Sequence, residues 1–379
     1  MHDDSPSPPE ESYDPALVAS VRLALVPGVG PATRRALLEA FGSAEAVLTA
    51  APSRLREIPG VGPKLTRRIV AAEDEIDVES QLRLCREAGL QLLTEDSPEY
   101  PRLLREISDP PGLLFVQGRL EPDDAMSIAI VGTRHASSYG RQQAERLAGG
   151  LARAGLTVVS GLARGIDAVA HQAAMKAGGR TLAILGSGVL NVYPPEHKPL
   201  AEQVSHSGAL ISENPPMSEP MSGTFPQRNR LITGMSLGVI VVEAGDRSGA
   251  LISARHAMEQ GREVFAVPGR VDSRTSHGCH RLIRDGAKLV ETVDDVLEEL
   301  GPLVEATPRA DGRVVHHPAE LQLNEQERLV LDAIGADPTS IDTVAMTSGL
   351  PVQRVLATLS VLEMRRLVRR VSGTYVIRV

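Results

Sequence analysis

The stretch 127–140, SIAIVGTRHASSYG, constrains the fold more than any other part of the chain. Its apolar run over 128–131 ends at Gly132, turns through Thr133 and Arg134, and reaches a helical pattern at Ser138. An apolar run with no polar alternation is a strand buried on both faces, so this reads as a parallel strand feeding a βα turn. Open α/β sheets hold their ligands at such turns. A dinucleotide site places glycines there so that backbone can touch a pyrophosphate. Here an arginine projects from the strand end, where a guanidinium suits a phosphate or caps a carboxylate or helix end.

Strand-like runs recur at 157–159, 182–185, 209–211, 239–242 and 264–267, with helical patterns at 142–154, 166–177 and 252–260. That alternation predicts an α/β domain built on a doubly wound, mostly parallel sheet. Small residues follow each run: Gly132-Thr133-Arg134, Ser160-Gly161, Gly186-Ser187-Gly188, Ala244-Gly245 and Pro268-Gly269. Glycine is ordinary in βα loops, but five such turns together with Arg134 favour a phosphate-binding rim. The GSG at 186–188 is a poor dinucleotide fingerprint, because Asn191 stands where the third glycine belongs.

Within a unit expected at 15–80, residues 15–75 carry an internal repeat, LVPGVGPATRRALLEAFGS and then IPGVGPKLTRRIVAAE. Each unit resembles a helix-hairpin-helix (SAM-like) motif. Gly28 and Gly30, or Gly60 and Gly62, allow a tight turn whose N–H groups meet a phosphate at a helix start. Arg34 and Arg35, or Lys64, Arg67 and Arg68, follow one turn on. Such pairs also serve as interaction modules. A connector at 81–112 leads from this unit into the α/β domain, which runs to residue 300. The acidic, Pro/Ser-rich 1–14 reads as a disordered tail rather than a signal peptide. Residues 301–322 read as a linker. Residues 323–379 hold three short helices (325–334, 340–348, 352–363) and two strands around Ser372-Gly373, a winged-helix pattern. The third helix contains Gln353 and Arg354, and the wing is flanked by Arg365, Arg366, Arg369 and Arg370, suited to DNA phosphates, an acidic protein or solvent.

The formal net charge is −8, which argues against indiscriminate nucleic-acid binding yet leaves room for a local basic groove. The two cysteines, Cys85 and Cys279, imply no disulfide framework and fit a reducing cytoplasm. Apolar runs are strand-sized, so no membrane span is expected. His277, Cys279 and His280 cluster, but no second ligand pair at metal spacing follows, and no metal or cofactor is expected.

With those residues on the page, the chain resembles the DprA/Smf family of bacterial DNA-processing proteins over about residues 98–300. The matching stretches include YPRLLREISDPPGLLFVQG, IAIVGTRHASSYG, VVSGLARGIDAVAHQAAM, TLAILGSGVLNVYPPEHKPL, FPQRNRLITGMSLGVIVVEAGDRSGALISARHAMEQGREVFAVPG and SHGCHRLIRDGAKLV. The resemblance implies an extended Rossmann domain that binds single-stranded DNA without base specificity, as a homodimer, protects it and loads the recombinase RecA onto it during natural transformation, working around single-strand binding protein. No catalytic residue is implied. Carried over, the G-[ST]-R turn gives Gly132, Thr133 and Arg134 as phosphate contacts, and the GSG turn gives Gly186, Ser187 and Gly188. The PxRNR stretch gives Arg228, Asn229 and Arg230, and SGxLI gives Ser248 and Gly249. For Arg228 and Arg230 the structural alternative is pairing with a carboxylate such as Glu243 or Glu213. Aromatic platforms for bases would come from Phe225 and Tyr193 ahead of Tyr139, and Lys198 would add a backbone contact. His280 and His197 stand where the family pattern has asparagine, which makes local charge pH-sensitive.

The rival reading is a nucleotide-binding Rossmann enzyme, or a phosphoribohydrolase of the cytokinin-activating type. Those enzymes carry PGGxGTxxE; the nearest run here, VEAGDRSGAL, lacks the glycine pair and the glutamate spacing, leaving Glu243 as the acid at that strand end. A scaffold that holds DNA only through the recombinase is a third possibility.

Overall fold

A computed structural model describes residues 13–300, 307–308, 314–315, 317, 320, 323–335, 337–365 and 367–378. Residues 1–12 of the expected tail, most of the expected linker and Arg366 lie outside the described residues. Nine strands make the main sheet: β1 (Gln91–Thr94), β2 (Leu113–Gly118), β3 (Ser127–Gly132), β4 (Thr157–Ser160), β5 (Thr181–Ile184), β6 (Ala209–Ser212), β7 (Gly238–Val242), β8 (Glu263–Ala266) and β9 (Lys288–Leu289). Their order is β1-β2-β6-β5-β4-β3-β7-β8-β9. Strands β6 to β9 in that order run parallel, whereas β2 is antiparallel to β6 and β1 to β2. Strands β1 and β9 were not expected from the sequence. The first is four residues inside a proline-punctuated connector and the second only two, too short for periodicity to register.

Alternation along β3 explains the layers. Ile128 and Ile130 join a core with helices Ser138–Arg153, Ile166–Lys176 and Val293–Leu300. Ala129 and Val131 face the opposite core, closed by Thr224–Gly234, Ala250–Glu259 and His277–Arg284. Both faces are covered, so β3 can be apolar throughout. The chain leaves β3 toward β4, β5 and β6 on one side, then returns to β7 on the other, with Gly132 opposite Val242. The strand order therefore reverses between β3 and β7, and a crevice opens at their carboxyl ends.

In the helix-hairpin-helix unit, Pro31 and Pro63 open their helices at the first position, where a missing N–H costs nothing. Gly28 and Gly60 have φ of +98° and +84°, so the repeated turn needs glycine there. The first hairpin's arginines do not face outward as a phosphate site would require. Arg34 is buried against Glu95 at 3.2 Å, and Arg35 donates to Ser108 O at 2.7 Å, so both dock the unit onto the connector. Arg68 donates to Pro27 O at 2.8 Å and ties the hairpins together, which leaves Lys64 and Arg67 exposed. The end of the expected tail is also ordered: Asp14 caps helix Pro15–Leu25 through Ala16 N–H, and Arg86 lies over the Tyr13 ring.

Toward the C-terminus, helices Glu325–Asp332, Ile341–Ser348 and Val352–Met364 pack on Val330, Val344, Val355 and Leu359 with the hairpin Val368–Ser372/Tyr375–Arg378. Strand Thr339–Ser340 adds a third member to that small sheet. Among the described residues, no helix is long and apolar enough to cross a membrane.

Candidate functional site

The crevice at the switch point is a groove of about 840 Å³, walled by the turns after β3, β7 and β8 and by the start of helix Thr224–Gly234. Gly132 lies flush in its floor: a Cβ there would collide with Val242 O and Ile166 Cγ1. Thr133 N–H donates to Glu243 O at 2.8 Å and fixes the turn. Arg134 is thereby lifted into solvent, and no carboxylate lies within ion-pairing distance of it among the described residues. Its Cζ sits 5.8 Å from the centre of the Phe225 ring, within cation–π range. Phe225 in turn lies 5.5 Å from Tyr193, tilted by 50°. Gly186 is the bed for Phe225, since a Cβ there would come within 2.9 Å of its ring. One end of the groove thus combines an unpaired cation with two aromatic faces.

The other end is backbone and arginine. Ser248 and Gly249 lead into helix Ala250–Glu259, with Ser248 Oγ accepting the Ala250 N–H at 3.3 Å. Asn229 crosses from helix Thr224–Gly234 to donate to Gly249 O at 3.4 Å. Arg247 and Arg274, which sequence reasoning missed, are exposed on this wall. Their signal was an arginine within a few residues of a strand-end glycine, the same context that singled out Arg134. The groove's walls hold four arginines (134, 228, 247 and 274) against one carboxylate, Asp167. Burial pushes the Asp167 carboxyl up, partly offset by Arg228 and by N–H donors from Gly161 and Ala163. A local positive field therefore exists on an acidic chain.

The fold engages several of the residues expected to contact a ligand. Arg228 is buried and donates to Gly161 O and Ile184 O, bracing the ends of β4 and β5; burial draws its pKa down to about 10. Its Nε is buried without a partner among the described residues, and both of these hydrogen bonds use Nη1. Arg230 is buried between Glu213 and Asp109, the carboxylate pairing weighed as the alternative. Ser187 is 1% exposed and donates to Asn191 O at 2.7 Å, while Gly188 is pressed against Pro215 and Pro216 carbonyls. Lys198 is exposed at the start of helix Lys198–Ser207 and is not part of the groove's walls. Tyr139 donates to Pro268 O at 2.6 Å and packs as a tie between loops. His197 Nδ1 lies 2.8 Å from Leu162 O and His280 Nε2 3.0 Å from Gly269 O, so both histidines fill backbone-bonding positions. Cys279 is buried against Val241 O, and among the described residues no group of three or more His, Cys, Asp or Glu is placed to hold a metal.

Among the described residues, the two non-glycine residues with positive φ, Leu162 (+56°) and Glu243 (+54°), follow β4 and β7 at this same rim. Backbone strain of that kind collects at functional sites.

A family model described as DNA recombination-mediator protein A matches residues 91–301. A DprA winged-helix domain matches 315–374, and a SAM-like tandem helix-hairpin-helix matches 21–72. The chain is 34% identical to Protein Smf of Synechocystis, over 92% of this chain and 95% of that protein. It is 43% identical to the DNA processing protein DprA of Bacillus subtilis, over 57% and 73% respectively. Among solved structures, DNA processing protein A of Streptococcus pneumoniae aligns with a TM-score of 0.65 and 36% identity, covering 74% of this chain and 97% of that one. A Helicobacter pylori structure, titled for its single-stranded DNA binding mode, aligns at 0.50 with 29% identity over 56% and 95%.

Proposed function

Because this chain belongs to the DNA recombination-mediator protein A (DprA/Smf) family, we propose that it binds single-stranded DNA in the switch-point groove and hands it to a recombinase. A backbone phosphate meets Arg134, and a neighbouring base stacks on Phe225 or Tyr193. Stacking accepts any base, so the binding is indifferent to sequence. The observation that carries this reading is the unpaired Arg134 poised over an aromatic pair, in a groove with four arginines and one buried carboxylate. The Helicobacter pylori relative's single-stranded DNA binding supports it. The wider role is protection of incoming strands and loading of RecA during transformation, alongside single-strand binding protein, by a cytoplasmic homodimer that is not an enzyme. Glu243, the acid on which a phosphoribohydrolase would rely, has both carboxylate oxygens engaged by Ser137 and Thr275.

Binding of wild type and Arg134→Ala to a labelled oligo(dT) strand at two salt concentrations tests this. Wild type should bind tightly and lose affinity as salt rises. The variant should lose about 1.5–3 kcal/mol, roughly ten- to a hundredfold. Equal binding by both would move the site to a terminal domain, and no wild-type binding would restore the enzyme reading.

A further inference from the structure

From the placement of Arg247 and Arg274 we infer that the groove has a second phosphate position, separate from that at Arg134, so that a strand is held at two points of its backbone. This rests on the reading of the groove as a single-stranded DNA site. Both residues lie on the groove's far wall, in the turns after β7 and β8. Both are exposed, and neither is within ion-pairing distance of a carboxylate among the described residues. The nearby Asp246 lies 3.8 Å from His277, in a neighbouring hollow outside the groove. The two turns touch, since a Cβ at Gly245 would meet Arg274 O at 3.5 Å, so the arginines share one wall.

Spacing separates this wall from Arg134. Arg134 follows β3, Arg247 follows β7 and Arg274 follows β8. In the order β3-β7-β8 the outermost turns are two strand intervals apart, about 10 Å at roughly 4.8 Å each. A nucleic-acid strand stacked as in a duplex carries a phosphate about every 3.4 Å along the axis. Arg134 leans away from this wall toward Phe225, which lies on Gly186 after β5, so the two ends meet different phosphates of one strand. Thr275 ties this wall to the other: it donates to Glu243 Oε1 at 3.2 Å, and the same carboxylate holds Ser137 in the Arg134 turn.

The test compares wild type, Arg134→Ala, the double variant Arg247→Ala/Arg274→Ala and the triple variant, measuring oligo(dT) affinity across a salt series. For single strands, each phosphate no longer neutralised makes the plot of log affinity against log salt shallower by about 0.7. The double variant should bind at least tenfold more weakly, show a shallower slope than wild type, and add its loss to that of Arg134→Ala in the triple variant. A double Arg→Lys variant should keep the slope. An unchanged slope in the double variant, or a less than additive loss in the triple, overturns the second position while leaving Arg134 in place. Absence of binding by wild type, or an Arg134→Ala variant that binds normally, instead overturns the underlying reading of the groove.

Discussion

The carboxylate of Glu243 accepts the Ser137 backbone N–H at 2.9 Å and its hydroxyl at 2.5 Å, joining the end of β7 to the turn that carries Arg134. Its carbonyl oxygen takes Thr133 N–H from the same turn, and a Cβ on Gly140 would strike its Oε2. Glu243 holds a left-handed backbone to do so, which a non-glycine residue adopts only when its surroundings compel it. Glu243→Gln keeps the shape but turns one acceptor into a donor facing donors. The expected outcome is a fall in oligo(dT) affinity of about tenfold, near 1.4 kcal/mol, with the salt slope reduced as Arg134 disengages. Fluorescence anisotropy beside a thermal melt checks it. A lowered melting temperature with unaltered DNA binding would make Glu243 a brace of the fold alone.

Phe225 separates stacking from charge. Phe225→Leu retains apolar cover on Gly186 but removes the ring that faces Tyr193 and Arg134. Affinity should fall by about 1–3 kcal/mol, the scale of one lost base stack. Because no cation changes, the salt slope should stay that of wild type. A changed slope would mean that Phe225 serves only to aim Arg134.

The sheet and the Arg134 turn were legible because uninterrupted apolar runs and strand-end glycines are local signals. The arginine roles were not. Arg134 and Arg228 belong to equally suggestive sequence motifs, yet one stands in solvent and the other, on helix Thr224–Gly234, is buried on two carbonyls. What separates them is the path of β4 and β5, contributed by residues distant in sequence. Arg34 likewise follows a hairpin turn suited to phosphate, but Glu95, sixty-one positions away, claims it. Arg247 and Arg274 were passed over because neither is a named position of the motifs carried over, although Arg247 directly precedes Ser248-Gly249; the strand order brings their loops beside Arg134.

His171 predicts how stability depends on acidity. It is buried with Nδ1 2.7 Å from the Thr181 hydroxyl, which itself donates to Val158 O, so Nδ1 carries the proton of that bond. Burial pulls its pKa down to about 3 from 6.5, with Arg228 and His197 adding to the shift. The unfolded chain then binds the extra proton between those values, so stability falls as pH drops from about 6.5 toward 3. His171→Asn keeps a donor for Thr181 and removes the titration. Urea denaturation across that range should give a flatter pH profile for the variant, even if the variant is less stable at pH 7. Parallel profiles would assign the acid sensitivity to other groups.

Docking of the helix-hairpin-helix unit depends on how Arg34 fits. Its guanidinium lies flat on Gly112 and reaches Glu95, with side-chain exposures of 6% and 29%. Removing one partner of a fully buried pair costs about 3–5 kcal/mol, and less here because water reaches Glu95. Arg34→Met keeps volume and loses the pair; Gly112→Ala keeps the pair's chemistry but drives a methyl into the guanidinium. Both should loosen the same contact, read as faster limited proteolysis between the unit and the sheet domain, while oligo(dT) binding at the groove persists. Val21 of the unit also packs with Val78, Leu82 and Phe115, so an apolar seam backs the ion pair. Release by Gly112→Ala alone would make shape the determinant, and resistance of both variants would leave that seam and the Arg35 bond to Ser108 O as the tethers.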